Sequence, residues 1–355
     1  MEQTTNRATQ TERRQLVGMA VVLIALHSVG WGILLLVVVP SQDGTGTAPI
    51  GVGIGLTAYT LGMRHAFDAD HIAAIDNVTR RLAVTKNGRS PSVGFFFSLG
   101  HSTVVFALAL VLAFGLKSVV KPMLTGDSLM HHVTSILGSG ISGVFLLVVG
   151  VLNIISLVKI AGPKEAAAAG GVFSRVLVRP LRSVARARHM YPIGFLFGLG
   201  FDTATEIGLL VVAAGSLAAG LPWYGVLCLP ILFAAGMVLF DSLDGVFVSF
   251  AYSWALADSS RKLRYNIAVT LVSVAVAITI GAVEIASSLS EGFAWRGPLQ
   301  IVLDSIDFNL VGVIVVISLT LIFLAVLVIK RTSRIDRAQP PARIESADPS
   351  LNDIR

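Results

Sequence analysis

The 355-residue chain holds one cysteine, Cys228, and only 14% of its residues are charged. A single thiol forms no intramolecular disulfide and no cysteine metal cluster. Soluble domains carry about 25% charge, so the shortage excludes an ordinary water-soluble globule. The HEXXH spacing of zinc hydrolases is also absent. What is abundant is apolar: 54% hydrophobic residues and a mean hydropathy of +0.79. Apolar runs of roughly 20 residues recur, each long enough to cross a hydrocarbon layer about 30 Å thick. They fall near residues 17–39, 52–76, 93–115, 136–158, 191–219, 222–254, 265–287 and 308–329. The first is too long for a signal-peptide core and reads as a helix. The expected fold is therefore all-α, a polytopic membrane protein of eight transmembrane helices.

The formal net charge is +6, which could suggest nucleic acid, but its distribution argues for a membrane instead. All but four of the 27 Lys and Arg residues fall in the tails or in alternate connections near 80–89, 159–188 and 261–264. The exceptions are Arg64, within a span, and Lys117, Lys121 and Arg296 on the other side. This is the positive-inside pattern, and it predicts both termini in the cytoplasm of a multi-pass cell-membrane protein. Residues 1–16 and 330–355 read as cytoplasmic tails, the second disordered, around a transmembrane domain at 17–329. A basic cytoplasmic loop spans about 160–190, where Arg175, Arg179, Arg182 and Arg186 share a helical face. It reads either as an interfacial segment on anionic lipid or as a solvated loop.

Two internal echoes mark a candidate repeat. Gly94 to Thr103 (GFFFSLGHST) and Gly194 to Thr203 (GFLFGLGFDT) agree at six of ten positions. More weakly, Gly62-Met63 before Phe67-Asp68 and Asp70 resembles Gly236-Met237 before Phe240-Asp241 and Asp244. Repeats that carry the binding groups are common in secondary transporters.

The second apolar run contains Arg64-His65-Ala66-Phe67-Asp68-Ala69-Asp70-His71. One Asp or Arg at mid-bilayer costs about 2.5–3.5 kcal/mol even on the lenient insertion scale. A run with two imidazoles and two carboxylates must recover that cost, and these donors suit a borderline divalent transition metal. On an ideal helix His65, Asp68 and His71 share an arc of roughly 120°, with Arg64 beside His71 as a supporting group and Asp70 on another side. Asp70 then needs a distorted helix, or it fixes a histidine from a neighbouring one.

Other spans add matching groups. His101 follows Gly100 in the third, Asp202 and Glu206 stand at i and i+4 in the fifth, and Asp241 and Asp244 at i and i+3 in the sixth. His27 lies in the first span and Glu284 in the seventh, each readable as structural. Intramembrane carboxylates outnumber cations, which suits a cation path. Asp76 and Asp258 are expected at cytoplasmic interfaces. His131 and His132 are expected in an outside loop, solvated or positioned to capture metal, and His189 is given no role.

The run RHAFDADHIAAIDNVTR resembles the second-helix signature of the nickel/cobalt transporter family: His, four residues, then Asp-His. LGHSTVV (Leu99 to Val105), LGFDTATE (Leu199 to Glu206) and GMVLFDSLDG (Gly236 to Gly245) resemble the family's motifs in helices three, five and six. The resemblance covers essentially the whole chain. It implies high-affinity secondary uptake of Ni²⁺ or Co²⁺ as cargo, with no cofactor and no ATPase subunit. By the same resemblance His65, Asp68, Asp70 and His71 are essential, with His101 and His27 as further metal-site candidates. Asp202, Glu206, Asp241 and Asp244 then lie on the route, and Phe67 with His27 bears on metal selectivity. The competing readings are metal efflux and, remotely, an intramembrane metallohydrolase.

Overall fold

The computed structural model describes residues 2–41, 48–86, 90–114, 129–161, 186–200, 204–218, 221–255, 262–293, 297–307, 310–318 and 320–321. Asp202, Asp258, the basic segment 175–185 and the C-terminal tail lie outside them. The chain divides into two compact units, Met1–Val316 and Ile317–Arg355, and all the candidate site residues belong to the first.

Among the described residues the structure is helical and contains no strand. In order the elements are α1 (Glu2–Ile33), α2 (Ala48–His65), α3 (Ala69–Lys86), α4 (Val93–Ala113), α5 (Leu129–Ala161), α6 (Met190–Phe197), α7 (Ala204–Ala218), α8 (Cys228–Ala255), α9 (Lys262–Gly292) and α10 (Pro298–Asp304). α1 continues through a π-helical stretch, Leu34–Val38. Proline marks several starts, where its missing N–H costs nothing: Pro91 precedes α4, Pro192 lies in the first turn of α6, and Pro298 opens α10.

Among the described residues, five helices are long and apolar enough to cross a membrane: Gln10–Val38, Val93–Ala113, Ile136–Ile155, Trp223–Ala251 and Thr270–Ser290. Their outward faces stay apolar, with Val21, Ile24 and Leu36 of the first segment exposed, Leu36 by 78%. Water would reject such a face; lipid tails accept it. The expected second run is not one helix. It breaks between His65 and Ala69, leaving α2 and α3 as separate segments. The fifth likewise ends as a helix at Phe197 and resumes at Ala204. His131 and His132, expected in a loop, instead fall in the first turn of α5, with His132 exposed.

Close packing fixes where the breaks sit. A Cβ on Gly62 would collide with the Phe233 carbonyl, and one on Gly236 with the Tyr59 carbonyl, so α2 and α8 touch backbone to backbone. These reciprocal contacts join the two segments of the weaker echo, whose Phe67 and Phe240 rings lie 5.4 Å apart. The stronger echo pairs too, as Gly100 of α4 meets the Tyr191 carbonyl and Gly194 of α6 meets that of Phe97.

Two larger apolar cores form among the described residues, besides a small one of Met19, Phe95 and Val238. One gathers Ala66, Val104, Val105, Leu209, Phe233 and Met237; the other gathers Ala69, Ala73, Phe97, Phe197 and Ile280. Along three separate stretches of chain the membership changes from one core to the other. The change comes between Ala66 and Ala69, between Phe97 and Val104, and between Phe197 and Leu209. His65 and Asp68, His101, and Glu206 lie at or beside these changes. The polar residues thus occupy the seam between two dry cores.

Candidate metal site

The break builds the site. Phe67 N–H donates to the Arg64 carbonyl and Asp68 N–H to the His65 carbonyl, both at 3.0 Å, a tight turn that ends α2. The Asp68 carbonyl then accepts the first bond of α3, from Ile72 N–H at 3.2 Å, which makes Asp68 the N-cap of α3. Ideal helical spacing therefore does not apply across 65–71. Gly312 packs against the Phe67 carbonyl and seats residues 310–316 against the turn.

Three imidazoles converge here. His65, His71 and His101 are 1%, 0% and 3% exposed, and each offers a nitrogen within 4.8 Å of the other two. Donors bound about 2.1 Å from a single ion lie about 3–4 Å apart, so a small contraction closes the set. His65 Nε2 lies 3.0 Å from His101 Nε2, and Glu206 Oε1 lies 2.5 Å from the latter and 3.8 Å from the former. Two ring nitrogens and a carboxylate oxygen therefore face one small space.

The opposite ring edges are held. His65 Nδ1 is 2.7 Å from Asp68 Oδ2 and 2.9 Å from Thr205 Oγ1. His71 Nδ1 is 3.2 Å from Asp241 Oδ2, and Gly94 packs against the Asp241 carbonyl. A carboxylate on one ring nitrogen fixes the tautomer and turns the other nitrogen toward a metal. His71 Nε2, His101 Nδ1 and Asp241 Oδ1 are buried with no hydrogen-bond partner among the described residues. Orphaned polar atoms are costly inside a protein, and a guest cation facing them would offset that cost.

Not every expected residue joins the cluster. Asp70, half-buried in the first turn of α3, lies within electrostatic reach of all three imidazoles. Asp68, expected on a shared ligand face, is turned to His65 instead. His27 stands apart from the three rings, with Nδ1 2.8 Å from the Leu23 carbonyl and Nε2 3.3 Å from Tyr59 Oη. Phe67, expected to bear on selectivity, packs its ring at a tilt against Phe240 of α8. Arg64 is exposed in the last turn of α2. Asp244 lies one turn beyond Asp241 on α8, and Asp202 is outside the described residues.

Two expectations are overturned by burial. Asp76 is 2% exposed rather than interfacial, and Arg80, taken as a loop charge, is also 2% exposed. Two partners escaped the sequence reading. Thr205 lies inside the LGFDTATE motif beside Glu206 and could have been found there. Asn77 lies between Asp76 and Arg80 and gave no separate signal.

Residues 51–329 match the family described as high-affinity nickel-transport protein, NicO. The chain is 49% identical over 352 residues to the nickel transporter NicT of Mycobacterium tuberculosis, covering 95% of this chain and 94% of that one. It is 39% identical to the nickel transporter NixA of Staphylococcus aureus, over 83% of this chain and 88% of the relative. It is 37% identical to the cobalt transport protein NhlF of Rhodococcus rhodochrous, over 84% and 88%. No solved structure matches. With the family match covering most of its length, the chain belongs to the NicO family of high-affinity nickel-transport proteins.

Proposed function

We propose that the protein is a secondary importer of Ni²⁺ and Co²⁺ in the cytoplasmic membrane. The observation that carries this reading is the set of three buried imidazoles, from three helices, meeting at a break in an apolar chain. Discontinuous helices at the midplane are where transporters bind ions, because backbone and side-chain donors there are not committed to helix bonds.

In this reading His65, His71 and His101 hold the ion with Glu206, while Asp68 and Asp241 orient the rings from behind. Asp70 adds negative charge at the same level, Asp241 and Asp244 extend the acidic lane, and Asp202 is assigned to the route by its sequence motif alone. N and O donors without thiolate suit nickel and cobalt better than soft metals. Eight crossings follow if α2 with α3, α6 with α7, and the segment near 310–321 each complete one. An even number puts both tails on one side, which the basic residues assign to the cytoplasm.

Two positive charges moving into a negative interior gain roughly 4.6 kcal/mol per 100 mV, over a thousandfold in concentration. That is sufficient drive without an ATPase. Accumulation of radioactive nickel in cells expressing the protein tests the direction. Cells should accumulate label at trace concentration and lose the gain when the membrane potential is collapsed. Depletion of preloaded label instead would establish efflux.

A further inference from the structure

Arg80 is only 2% exposed and is among the largest of the enclosed side chains. Its Nη2 donates to Asn77 Oδ1 at 3.0 Å and reaches Asp76 Oδ2 at only 3.5 Å. Asn77 is itself clamped: its Nδ2 donates to the Ala73 carbonyl at 2.8 Å and lies 3.4 Å from the Ser273 carbonyl. Asn153 Nδ2 donates to Asn77 Oδ1 at 2.6 Å. The amide side of this cluster is tied at several points, whereas the contact with Asp76 is the longer of these two guanidinium contacts.

The cluster continues the acidic lane. Asp244 lies within electrostatic reach of both Asp241 and Asp76, and its Oδ2 is buried with no hydrogen-bond partner among the described residues. From His71 to Arg80 is nine residues of α3, about 13 Å along its axis. A cation leaving the histidines toward the basic side passes Asp241, Asp244 and Asp76, then meets a guanidinium. Arg stays protonated at any working pH. A buried ion pair is poor support for stability, since apolar residues of similar size usually do as well. A permanent positive charge on a cation route calls for another explanation.

We propose that Arg80 is a tethered cation that neutralises the Asp76–Asp244 end of the lane when no cargo is present, and that an arriving divalent ion displaces it. The inference rests on the reading of the histidine cluster as the ion site. Arg80 then closes the inner end of the path against leak and competes with the ion for the carboxylates. A doubly charged ion repels it effectively; a monovalent one does so far less.

Equilibrium Ni²⁺ binding by the full-length protein in detergent, measured by calorimetry, tests the idea. Arg80→Gln removes the competitor and should bind Ni²⁺ about tenfold more tightly, while Arg80→Lys keeps the charge and stays near wild type. In proteoliposomes Arg80→Gln should import more slowly, because release becomes limiting. Unchanged or weaker Ni²⁺ binding by folded Arg80→Gln overturns the proposal. Should that variant fail to fold, Asp76→Asn removes a carboxylate that Arg80 contacts and that the ion would use, and should weaken Ni²⁺ binding about tenfold. Equal or tighter binding there overturns the proposal equally. The reading of the histidine cluster fails separately, if wild type and His65→Ala bind Ni²⁺ alike.

Discussion

Two regions of the protein bury carboxylates among helices and treat them oppositely. In the pair α5–α9 the helices run unbroken and press together where Gly143 meets the Gly281 carbonyl and Gly281 meets that of Gly143. Glu284, 6% exposed there, accepts a hydrogen bond from Ser142 Oγ. At the seam the chain breaks at 66–68, and imidazole and carboxylate atoms crowd together with several left unpaired among the described residues. A satisfied carboxylate between continuous helices specifies packing. In the proposed function, an over-supplied cluster at a helix break is what receives the ion.

The hardest blow to that contrast removes an imidazole. His65→Ala, His71→Ala and His101→Ala should each lower nickel uptake at trace concentration by about a hundredfold or more, at the level of losing a metal ligand or its support. Membrane abundance should hold, because an apolar residue inserts more easily than histidine. Normal uptake by any one of them would return that ring to the packing class.

The carboxylates come next. Glu206→Gln and Asp241→Asn keep shape and lose charge, and uptake should fall about ten- to a hundredfold at constant protein level. Amides at Asp202 and Asp244, the proposed route residues, should lower uptake by less. If uptake tracks abundance in every case, these groups serve packing and the contrast with Glu284 disappears.

The backbone contact that sets the break can be tested without touching a polar group. Gly62→Ala drives a methyl into the Phe233 carbonyl and should cost about 1–3 kcal/mol as overpacking does. Gly215 has open space around its Cβ position and accepts alanine. A melting temperature equally indifferent to both changes would mean that α2 and α8 are free to separate.

Much of this was legible in the chain itself. Spacing and residue type singled out His65, His71, His101, Glu206 and Asp241, and apolar runs anticipated the helical fold. The break was legible only as one of two options, the distorted helix that Asp70 would need, for no Pro or Gly interrupts Arg64 to His71. It arises from tertiary contacts, with Gly62 locked to Phe233 and Gly312 seated on Phe67, which override the helical period. Asp68 as an N-cap residue was the one local hint. Asp76 and Arg80 were misjudged because a charge near the end of an apolar run reads as a loop charge. Their i, i+4 spacing, which pairs them on one face of α3, pointed the other way.

The carboxylate between unbroken helices supplies the opposite control. Glu284→Gln keeps an acceptor for Ser142, so uptake should stay within about twofold of wild type, the scale of a substitution outside the working groups. A loss as large as that of Glu206→Gln would move Glu284 onto the ion path and erase the distinction between the two regions.

The last effect expected is on the choice between the two metals. Phe67 sits in the break itself and packs against Phe240, so Phe67→Val should loosen the turn that presents His65 and Asp68. Nickel binds N and O donors more strongly than cobalt and better withstands a weakened one. The cobalt-to-nickel uptake ratio should therefore drop, by about threefold on that order of affinities. His27 pairs with Tyr59 on α2, its ring centroid 5.6 Å from the Tyr59 ring. His27→Asn reaches the site only through α2, and its effect should be smaller. Because the two residues rest on different partners, their effects should multiply in the double variant, as independent sites do. Competition uptake with both isotopes measures the three ratios. A double variant that departs from the product would show that the first helix and the break act as one unit, whereas ratios unchanged in all three would leave Phe67 and His27 as packing alone.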